Sequence, residues 1–506
     1  MARAAPAPAR TARPSLSRVF GGLDRGTVVV AGVVTVGLLM AVLDTTIVNV
    51  ALEKLSRDLG VGLGTIQWVS TGYLLSLAAV IPVSGWMTER FGSKPVWIAS
   101  IALFGVGSAL CALSTSAGEL IAFRVIQGLG GGLLLPVGFT LIAQRAGPQQ
   151  VGRALAIIGV PVLLAPVFGP IIGGLIVDNI AWQWLFVVNL PIAALAIGVA
   201  VVALARLAGR VDAGRLDFLG VALLCPGLVG VVFGLSEIES RGGIGDPGVF
   251  GPIAAGLVLI ALFAWHALRV ARPLIDVRLM RSPGFRAASL ATLLLAATLF
   301  GTLLALPLYY QVDRGASALD AGLLLAPQGV GAAVMLPFSG RLTDRLGGGP
   351  LVLAGTCIVA LATVPWVFVT ADTPYVLLGA VLFVRGIGLG ASIQPTTAAA
   401  YVVLDTAQVP RANAALNTLR QIGASVGTAV IAVVLQHESA GALAVAGSHA
   451  NGMFAPVPAA ERARIAEPLA DAFGRTFVWA VALAVVAILP ALLLLRAERS
   501  AHVRAS

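Results

Sequence analysis

The sequence predicts an all-α integral membrane protein, and three observations support this prediction. Hydrophobic residues make up 58% of the 506 residues and charged residues 11%, whereas soluble domains carry about 25% charged residues. Apolar windows of about 20 residues, the length of a helix that crosses a bilayer, recur along the whole chain. Lys and Arg residues lie mainly in alternate gaps between these windows, as expected of cytoplasmic loops.

Fourteen apolar windows define the predicted transmembrane helices, in two groups of six separated by a pair. The first six lie near residues 27–52, 65–87, 95–113, 119–143, 152–177 and 184–206. The pair lies near 216–236 and 248–270, and the last six lie near 286–311, 320–340, 350–370, 375–401, 412–435 and 474–496. Each boundary carries an error of about two to four residues.

An even number of crossings places both termini on one side of the membrane, and the charges indicate which side. With both tails inside, the cytoplasmic segments hold about 23 of the 33 Lys and Arg residues, the outer loops about 7 and the spans about 3. We therefore expect a multi-pass protein of the cell membrane with cytoplasmic termini. The tails are 1–24, predicted to be disordered, and 498–506. The long outer loop, 436–474, contains a charged stretch at 461–467 that can form an interfacial helix.

Composition excludes several classes of function. The formal net charge of +10 comes from Arg residues in short loops rather than from a basic and aromatic surface, so we expect no nucleic-acid partner. The three cysteines lie in separate apolar runs and the four histidines lack zinc spacing, so we expect neither a disulfide nor a metal site. Without a nucleophile and base, clustered acids or metal ligands, we do not expect an enzyme.

A short motif occurs twice, about 255 residues apart. Its members are Gly85, Thr88, Glu89, Arg90, Gly92 and Pro95 in the first copy, and Gly340, Thr343, Asp344, Arg345, Gly347 and Pro350 in the second. Each copy follows the second span of a six-span unit, which indicates two related halves with an insertion between them. The predicted domains are a six-helix bundle at 25–208, two inserted helices at 209–272 and a second six-helix bundle at 273–497.

Charged and polar residues within the spans are candidates for chemistry. Asp44 lies in the first span, where an ionised carboxyl group is costly, so it is a candidate proton carrier. Arg124 and Gln127 share one face of the fourth span, and the helix rise places Arg124 near the depth of Asp44, which makes a charge pair plausible. The alternatives are that Asp44 only caps or hydrogen-bonds a neighbouring helix, and that Arg124 extends to the interface as an anchor.

Four motifs occur in a characteristic order along the chain. Residues 43–52 read LDTTIVNVAL, residues 85–94 read GWMTERFGSK, and residues 124–128 read RVIQG. The fifth span then carries Gly159, Pro161, Pro166, Gly169, Pro170, Gly173 and Gly174. In this order the motifs resemble the major facilitator superfamily, specifically its fourteen-span drug:proton antiporters, over residues 27–496.

The resemblance implies the major facilitator fold, with two six-helix bundles plus two inserted helices, and a role for each motif. Proton coupling is implied for Asp44 and Arg124. An antiporter motif that obstructs uncoupled leak, with generic helix packing as the alternative, comprises Pro166, Gly169, Pro170, Gly173 and Gly174. A gating loop, with ordinary cytoplasmic charges as the alternative, comprises Gly85, Glu89, Arg90, Gly92, Lys94, Asp344 and Arg345. The candidate substrate cavity comprises Thr45, Asn49, Gln127, Tyr309, Gln311, Arg385, Asn417 and Arg420.

The implied function is secondary active export of drugs or other amphiphilic small molecules in exchange for protons by alternating access, as in multidrug efflux and antibiotic resistance. The expected partners are the small-molecule substrate, protons and the lipid bilayer. The proton-motive force takes the place of any cofactor, and a monomer is expected to function. The alternative on the same fold is export of a specific metabolite, a lipid or a self-made antibiotic; a membrane enzyme or a passive channel is the alternative outside coupled transport.

Overall fold

The computed structural model describes residues 23–147, 150–204, 214–238, 241, 245–402, 404, 408–445 and 459–505. Every regular element within these residues is a helix, which confirms the predicted all-α membrane class. Most of the predicted N-terminal tail, at 1–22, lies outside the described residues. So do the centre of the long outer loop, at 446–458, and the last residue of the C-terminal tail.

The described part of the N-terminal half contains nine α-helices. They are α1 (Arg25–Asp58), α2 (Leu63–Ile66), α3 (Trp68–Val80), α4 (Ser84–Phe91), α5 (Ser93–Leu113), α6 (Ala117–Ala146), α7 (Val151–Asn179), α8 (Trp184–Val187) and α9 (Asn189–Ala203). A 3₁₀ segment, Ile81–Val83, joins α3 to α4. The two inserted helices follow as α10 (Phe218–Ser236) and α11 (Pro247–Ala267).

The C-terminal half begins after a 3₁₀ turn at Val277–Arg281. Its described helices are α12 (Pro283–Leu308), α13 (Ala318–Leu346), α14 (Gly348–Thr363), α15 (Tyr375–Val402), α16 (Val409–Val445) and α17 (Ala459–Ala505). A π-helical turn, Tyr309–Asp313, extends α12, and a 3₁₀ segment, Val364–Phe368, extends α14.

Local sequence explains where several helices begin and end. The side chain of Asp24 accepts hydrogen bonds from two backbone N–H groups in the first turn of α1, and Ser116 does the same for one N–H of α6. Gly92 ends α4 with φ of 89° and Gly347 ends α13 with φ of 86°, a backbone conformation that glycine adopts without strain. The repeated motif therefore makes the same helix–turn–helix connection in both halves.

The same helix pairings occur in both halves. In the N-terminal half, α1 packs against α7, α6 against α3 and α5, and α9 against α1 and α5. In the C-terminal half, α12 packs against α16, α15 against α13 and α14, and α17 against α12 and α14. The inserted helices pack against each other, and α10 also contacts α3 and α16. The residue boundaries of the three domains stay predictions.

Thirteen helices in the described residues are long and apolar enough to cross a membrane, and each overlaps one of the predicted spans. The other predicted span, at 152–177, lies in α7, which has 29 residues. Several side chains of α7 are not among those that the structure describes. The charged stretch at 461–467 does not form a separate interfacial helix. It belongs to the first turns of α17, which runs without a break for 47 residues.

Candidate functional site

Asp44 lies at the centre of a polar cluster inside the N-terminal bundle. Its side chain is 0% exposed. One carboxyl oxygen, Oδ2, accepts a hydrogen bond from Arg124 Nη1 at 2.5 Å. The other, Oδ1, accepts from Gln127 Nε2 at 2.9 Å and from Asn189 Nδ2 at 3.0 Å. The carboxylate of α1 therefore has one cationic donor from α6 and two neutral amide donors, one from α6 and one from α9.

Arg124 is held on several sides within the same bundle. Its side chain is 1% exposed. Nε donates to the carbonyl oxygen of Val69 on α3 at 3.2 Å, and Nη1 also donates to Gln127 Oε1 at 2.7 Å. The guanidinium carbon lies 4.1 Å from the centre of the Tyr73 ring, a cation–π contact. Arg124 thus points into the bundle and not towards the membrane interface.

Glycine residues in α6 allow the neighbouring helices to approach this cluster. A Cβ atom at Gly128 would lie 2.6 Å from the carbonyl oxygen of Tyr73 on α3, and one at Gly130 would lie 2.5 Å from the backbone nitrogen of Phe104 on α5. Real side chains do not tolerate such distances to backbone atoms, so glycine is required at both positions for this packing. The close packing brings Arg124 within hydrogen-bonding distance of α3.

Ser108 and Asn189 belong to the cluster, although the sequence analysis did not include them among the site residues. Ser108 Oγ on α5 accepts hydrogen bonds from Gln127 Nε2 at 3.3 Å and from Asn189 Nδ2 at 3.0 Å. It donates to the carbonyl oxygen of Phe186 at 2.9 Å. Both residues are isolated polar side chains within or at the start of an apolar window, and Asn189 also belongs to the residues entering the sixth span that resemble the family.

The arrangement has two charge states. With Asp44 ionised, the guanidinium of Arg124 offsets the buried negative charge. When Asp44 takes up a proton, Arg124 keeps its neutral acceptors on Gln127 and Val69, but its positive charge is no longer compensated. A buried charge that loses its counter-charge raises the free energy of the conformation that holds it. The ion pair and the two amide donors therefore hold α1 against α6 and α9 at this point.

The predicted antiporter motif packs α7 against α1. A Cβ atom at Gly169 would overlap the side chain of Thr46, and one at Gly173 would lie 3.0 Å from a carbonyl oxygen of α1. These contacts lie on α1 within a turn of Asp44, so α7 seals one side of the helix that carries the carboxylate. Gly174 has no atom of a neighbouring element within 4 Å of a Cβ position. Two motif members lie outside the residues whose side chains are described, namely Pro166 and Pro170.

Arg385 takes the corresponding place in the C-terminal bundle, on its fourth long helix, α15. The side chain is 1% exposed. It donates to Thr363 Oγ1 at 3.3 Å, to Gln328 Oε1 and Thr302 Oγ1, and to the carbonyl oxygen of Thr298 at 3.5 Å. These partners come from α12, α13 and α14. None of them is a carboxylate.

Asn417 and Arg420 lie on α16 where the two bundles meet. Arg420 donates to Asn417 Oδ1 at 2.7 Å and to Thr397 Oγ1 at 3.4 Å, and its guanidinium carbon lies 5.4 Å from the centre of the Phe139 ring on α6. Asn417 Nδ2 donates to Asn413 Oδ1 at 2.9 Å. Asn413 Nδ2 in turn donates to a carbonyl oxygen of α6 at 2.6 Å. A chain of polar contacts therefore crosses from one bundle to the other.

The other candidate cavity residues are less closely linked to these sites. Thr45 is half-buried and donates to a carbonyl oxygen of its own helix at 2.7 Å. The side chain of Asn49 lies outside the description. Tyr309 is fully buried and packs edge to face against Trp366 with 5.9 Å between ring centres. Gln311 is half-buried in the π-helical turn. Tyr309 therefore contacts an aromatic cluster rather than the polar residues between the bundles.

The repeated motif joins the two bundles at one end of the molecule. Glu89 on α4 is 5% exposed and accepts hydrogen bonds from Arg411 Nε at 2.9 Å and Nη2 at 2.8 Å. Asp344 on α13 accepts from Arg153 Nε. In each pair, the acid lies at the end of the second span of one bundle and the arginine lies in the first turn of the fifth span of the other bundle. The two pairs are thus related by the internal repeat.

The predicted gating loop is mainly helical, which corrects the sequence analysis. The members within helices are Gly85, Glu89, Arg90, Lys94, Asp344 and Arg345. A single glycine with positive φ suffices to turn the chain, so Gly92 forms the connection without a longer loop. Arg90 and Arg345 are exposed, whereas Lys94 Nζ donates to a carbonyl oxygen of α9 at 2.8 Å.

Comparisons with known proteins agree with this architecture. The profile of the Major Facilitator Superfamily matches residues 34–428. The chain is 36% identical over 502 residues to the multidrug resistance protein B homolog of Mycobacterium tuberculosis, covering 96% of this chain and 92% of that protein. It is 34% identical to the methylenomycin A resistance protein of Streptomyces coelicolor, covering 80% and 84%. The structure of the human organic anion transporter MFSD10 superposes with a TM-score of 0.60 at 16% identity, covering 91% and 100%.

Proposed function

Because the chain belongs to the major facilitator superfamily, a family of transport proteins rather than enzymes, we propose that it exports drugs or other amphiphilic small molecules in exchange for protons. Relatives named for multidrug and methylenomycin A resistance support the export of drugs. Many membrane-spanning helices place the chain in a membrane, and the charge distribution supports cytoplasmic termini.

The observation that carries proton exchange is the buried Asp44–Arg124 pair. Asp44 is a buried acid at 0% exposure, and the guanidinium beside it makes the charged and neutral states of the pair differ in energy. An inward proton crossing about 100 mV releases about 2.3 kcal/mol, and half a pH unit adds about 0.7 kcal/mol. For a neutral drug, together they sustain a gradient of about a hundredfold.

Alternating access is supported by the paired gate. In the predicted orientation, Glu89–Arg411 and Asp344–Arg153 lie on the cytoplasmic side and hold the two bundles together there. Drug enters from the cytoplasm or inner leaflet once these pairs separate. Protonation of Asp44 from the outside then resets the cycle after the drug has left.

Drug-triggered proton release from acid-loaded everted vesicles tests this function. Vesicles with the wild-type protein should release protons when an amphiphilic monocation is added, whereas Asp44→Asn vesicles with matched protein content should not, because Asn cannot carry the proton. Equal release from both proteins would contradict the coupling role of Asp44. Drug transport without proton release in the wild type would contradict proton exchange itself.

A second candidate is export of one specific metabolite, lipid or self-made antibiotic. The relative named for resistance to a single antibiotic, methylenomycin A, favours it. Competition experiments separate the two candidates, since a multidrug exporter is inhibited by several chemically unrelated drugs and a specific exporter by close analogues of one compound.

A further inference from the structure

Asp313 is a buried acid that takes no part in the proposed mechanism and was not among the predicted site residues. It ends the π-helical turn Tyr309–Asp313 and is 3% exposed. Both carboxyl oxygens are buried, and neither has a hydrogen-bond partner among the described residues. Asp44 has three donors around its carboxyl group, so the two buried acids lie in opposite environments.

An aromatic cluster lies beside the turn that ends at Asp313. Tyr309 and Tyr310 precede it in the turn, and Trp366 packs against both rings at 5.9 and 6.1 Å between centres. The neighbouring cation, Arg314, is directed elsewhere, since Nη1 donates to Tyr309 Oη at 3.1 Å and to a backbone carbonyl oxygen at 2.8 Å.

Two charged groups act on Asp313. Arg314, the next residue, attracts its negative charge, and Glu467 on α17 repels it. Tyr310 and Tyr375 add two ring hydroxyl groups, and their ring centres lie 6.2 Å apart. Asp320, in the first turn of α13, is exposed, and its carboxyl group accepts from a serine hydroxyl at 2.7 Å. None of these groups donates a hydrogen bond to Asp313.

An ionised carboxylate in such a place is strongly disfavoured. Burial of a charge without a donor or a counter-ion costs considerably more free energy than burial of a neutral carboxyl group without a partner. The conformation described here therefore accommodates the protonated form of Asp313. Ionisation requires that the side chain reach water or Arg314.

The π-helical turn supplies the means for such a movement. Arg314 N–H donates to the carbonyl oxygen of Tyr309 at 3.2 Å, five residues back. π-helical turns are rare and concentrate at functional positions. Conversion of this turn to an α-helical one shifts the register by one residue, which rotates Asp313 by about 100°. That rotation turns the carboxyl group away from its present buried position.

We propose that Asp313 binds a proton from the outer solution and that this proton stabilises the conformation in which the gate pairs join the two bundles. The site lies at the far end of α12 from Pro283, which is the outer end in the predicted orientation. This proposal rests on the proposed function in one respect, the assignment of the outer and cytoplasmic sides of the membrane. It differs from coupling through Asp44 because the proton at Asp313 controls the conformational equilibrium without drug.

The test uses the full-length protein in nanodiscs, with spin labels on cysteines at Val202 and Leu346, in a background where the native cysteines are alanine. Both positions are exposed, at 78% and 61%, near the gate ends of α9 and α13. We expect the fraction with a short label distance to fall severalfold as the pH rises from about 5 to about 8. Asp313→Asn, a neutral isostere of the protonated acid, should keep the short distance at every pH.

Asp320→Asn is the matched control, because it removes an exposed acid seven residues away and should retain the wild-type pH dependence. Wild-type pH dependence in Asp313→Asn would overturn the proposal. Infrared spectroscopy gives an independent measurement, since a carboxylic-acid band present in the wild type and in Asp44→Asn should be missing from Asp313→Asn. If no band changes, Asp313 is not protonated and the proposal fails.

The label distances are recorded without drug, so they test Asp313 even if the drug-triggered release of protons is not observed. Conversely, proton release that depends on Asp44 supports the proposed function whatever the result for Asp313. The two failures are therefore distinguishable.

Discussion

Arg124 and Arg385 are both 1% exposed, and each lies on the fourth span of its bundle. Arg124 faces the carboxylate of Asp44, whereas Arg385 faces hydroxyl, amide and carbonyl oxygens of α12, α13 and α14. At the gate, by contrast, the two bundles use the same design, with an acid of one paired to an arginine of the other. The internal repeat therefore preserves the gate but not the buried site.

The difference indicates how proton binding and bundle movement are divided between the buried sites and the gate. A carboxylate beside a guanidinium loses its charge on protonation, whereas threonine and glutamine side chains do not titrate in the physiological range. At these two buried positions, the N-terminal bundle thus has a titratable acid beside its arginine, whereas the C-terminal bundle has an arginine with neutral partners only. On the proposed function, the symmetric gate allows the bundles to rock and the asymmetric interior couples that motion to the proton.

Arg124→Gln should have the largest effect, because it leaves the buried carboxylate of Asp44 without a cation. Removal of one partner from a buried ion pair costs about 3–5 kcal/mol. We expect a clear loss of thermal stability in detergent and no drug-triggered proton release. The double variant Asp44→Asn/Arg124→Gln should regain most of the stability but not the proton release. If Arg124→Gln were as stable as the wild type, the pair would not be the element that distinguishes the bundles.

Arg385→Gln should have a smaller effect, of less than about 2 kcal/mol. The substitution removes hydrogen bonds but leaves only neutral partners, and it also relieves the cost of a buried charge. We expect thermal stability close to that of the wild type and proton release that still depends on Asp44. If Arg385→Gln lost proton release as completely as Arg124→Gln, the distinction between the two arginines would be contradicted, since the charge of Arg385 would then also take part in coupling.

The sequence predicted the membrane class, the number of spans and the two related halves, because hydropathy and positive-inside charge act over whole helices. It also predicted that Asp44 and Arg124 lie at a similar depth, because helix rise converts residue number into depth. Their contact depends in addition on the rotation of α1 and α6 about their axes, which glycine packing at Gly128 and Gly130 sets in three dimensions.

Other parts of the site could not be predicted from the sequence. Asn189 reaches Asp44 from a helix 145 residues away in the chain, and no local pattern specifies that contact. Asp313 resembles a boundary residue by position, since it follows an apolar span, yet it is buried at the end of the π-helical turn. The gate was predicted as a loop because glycine-rich charged segments usually are loops, whereas here one glycine per copy makes the turn.

The two gate pairs provide the test with the smallest expected effect. Glu89 is the more buried acid and accepts hydrogen bonds from both Nε and Nη2 of Arg411. Asp344 accepts from Nε of Arg153, and 12% of its side chain is exposed. Glu89→Gln should therefore open the gate more than Asp344→Asn, by about 0.5–1 kcal/mol, a two- to fivefold difference in the open fraction. Spin labels at Val202 and Leu346 measure that fraction. An equal change in both variants would mean that the two pairs contribute equally to closing the gate. A larger change in Asp344→Asn would mean that burial of the acid does not determine which pair contributes more.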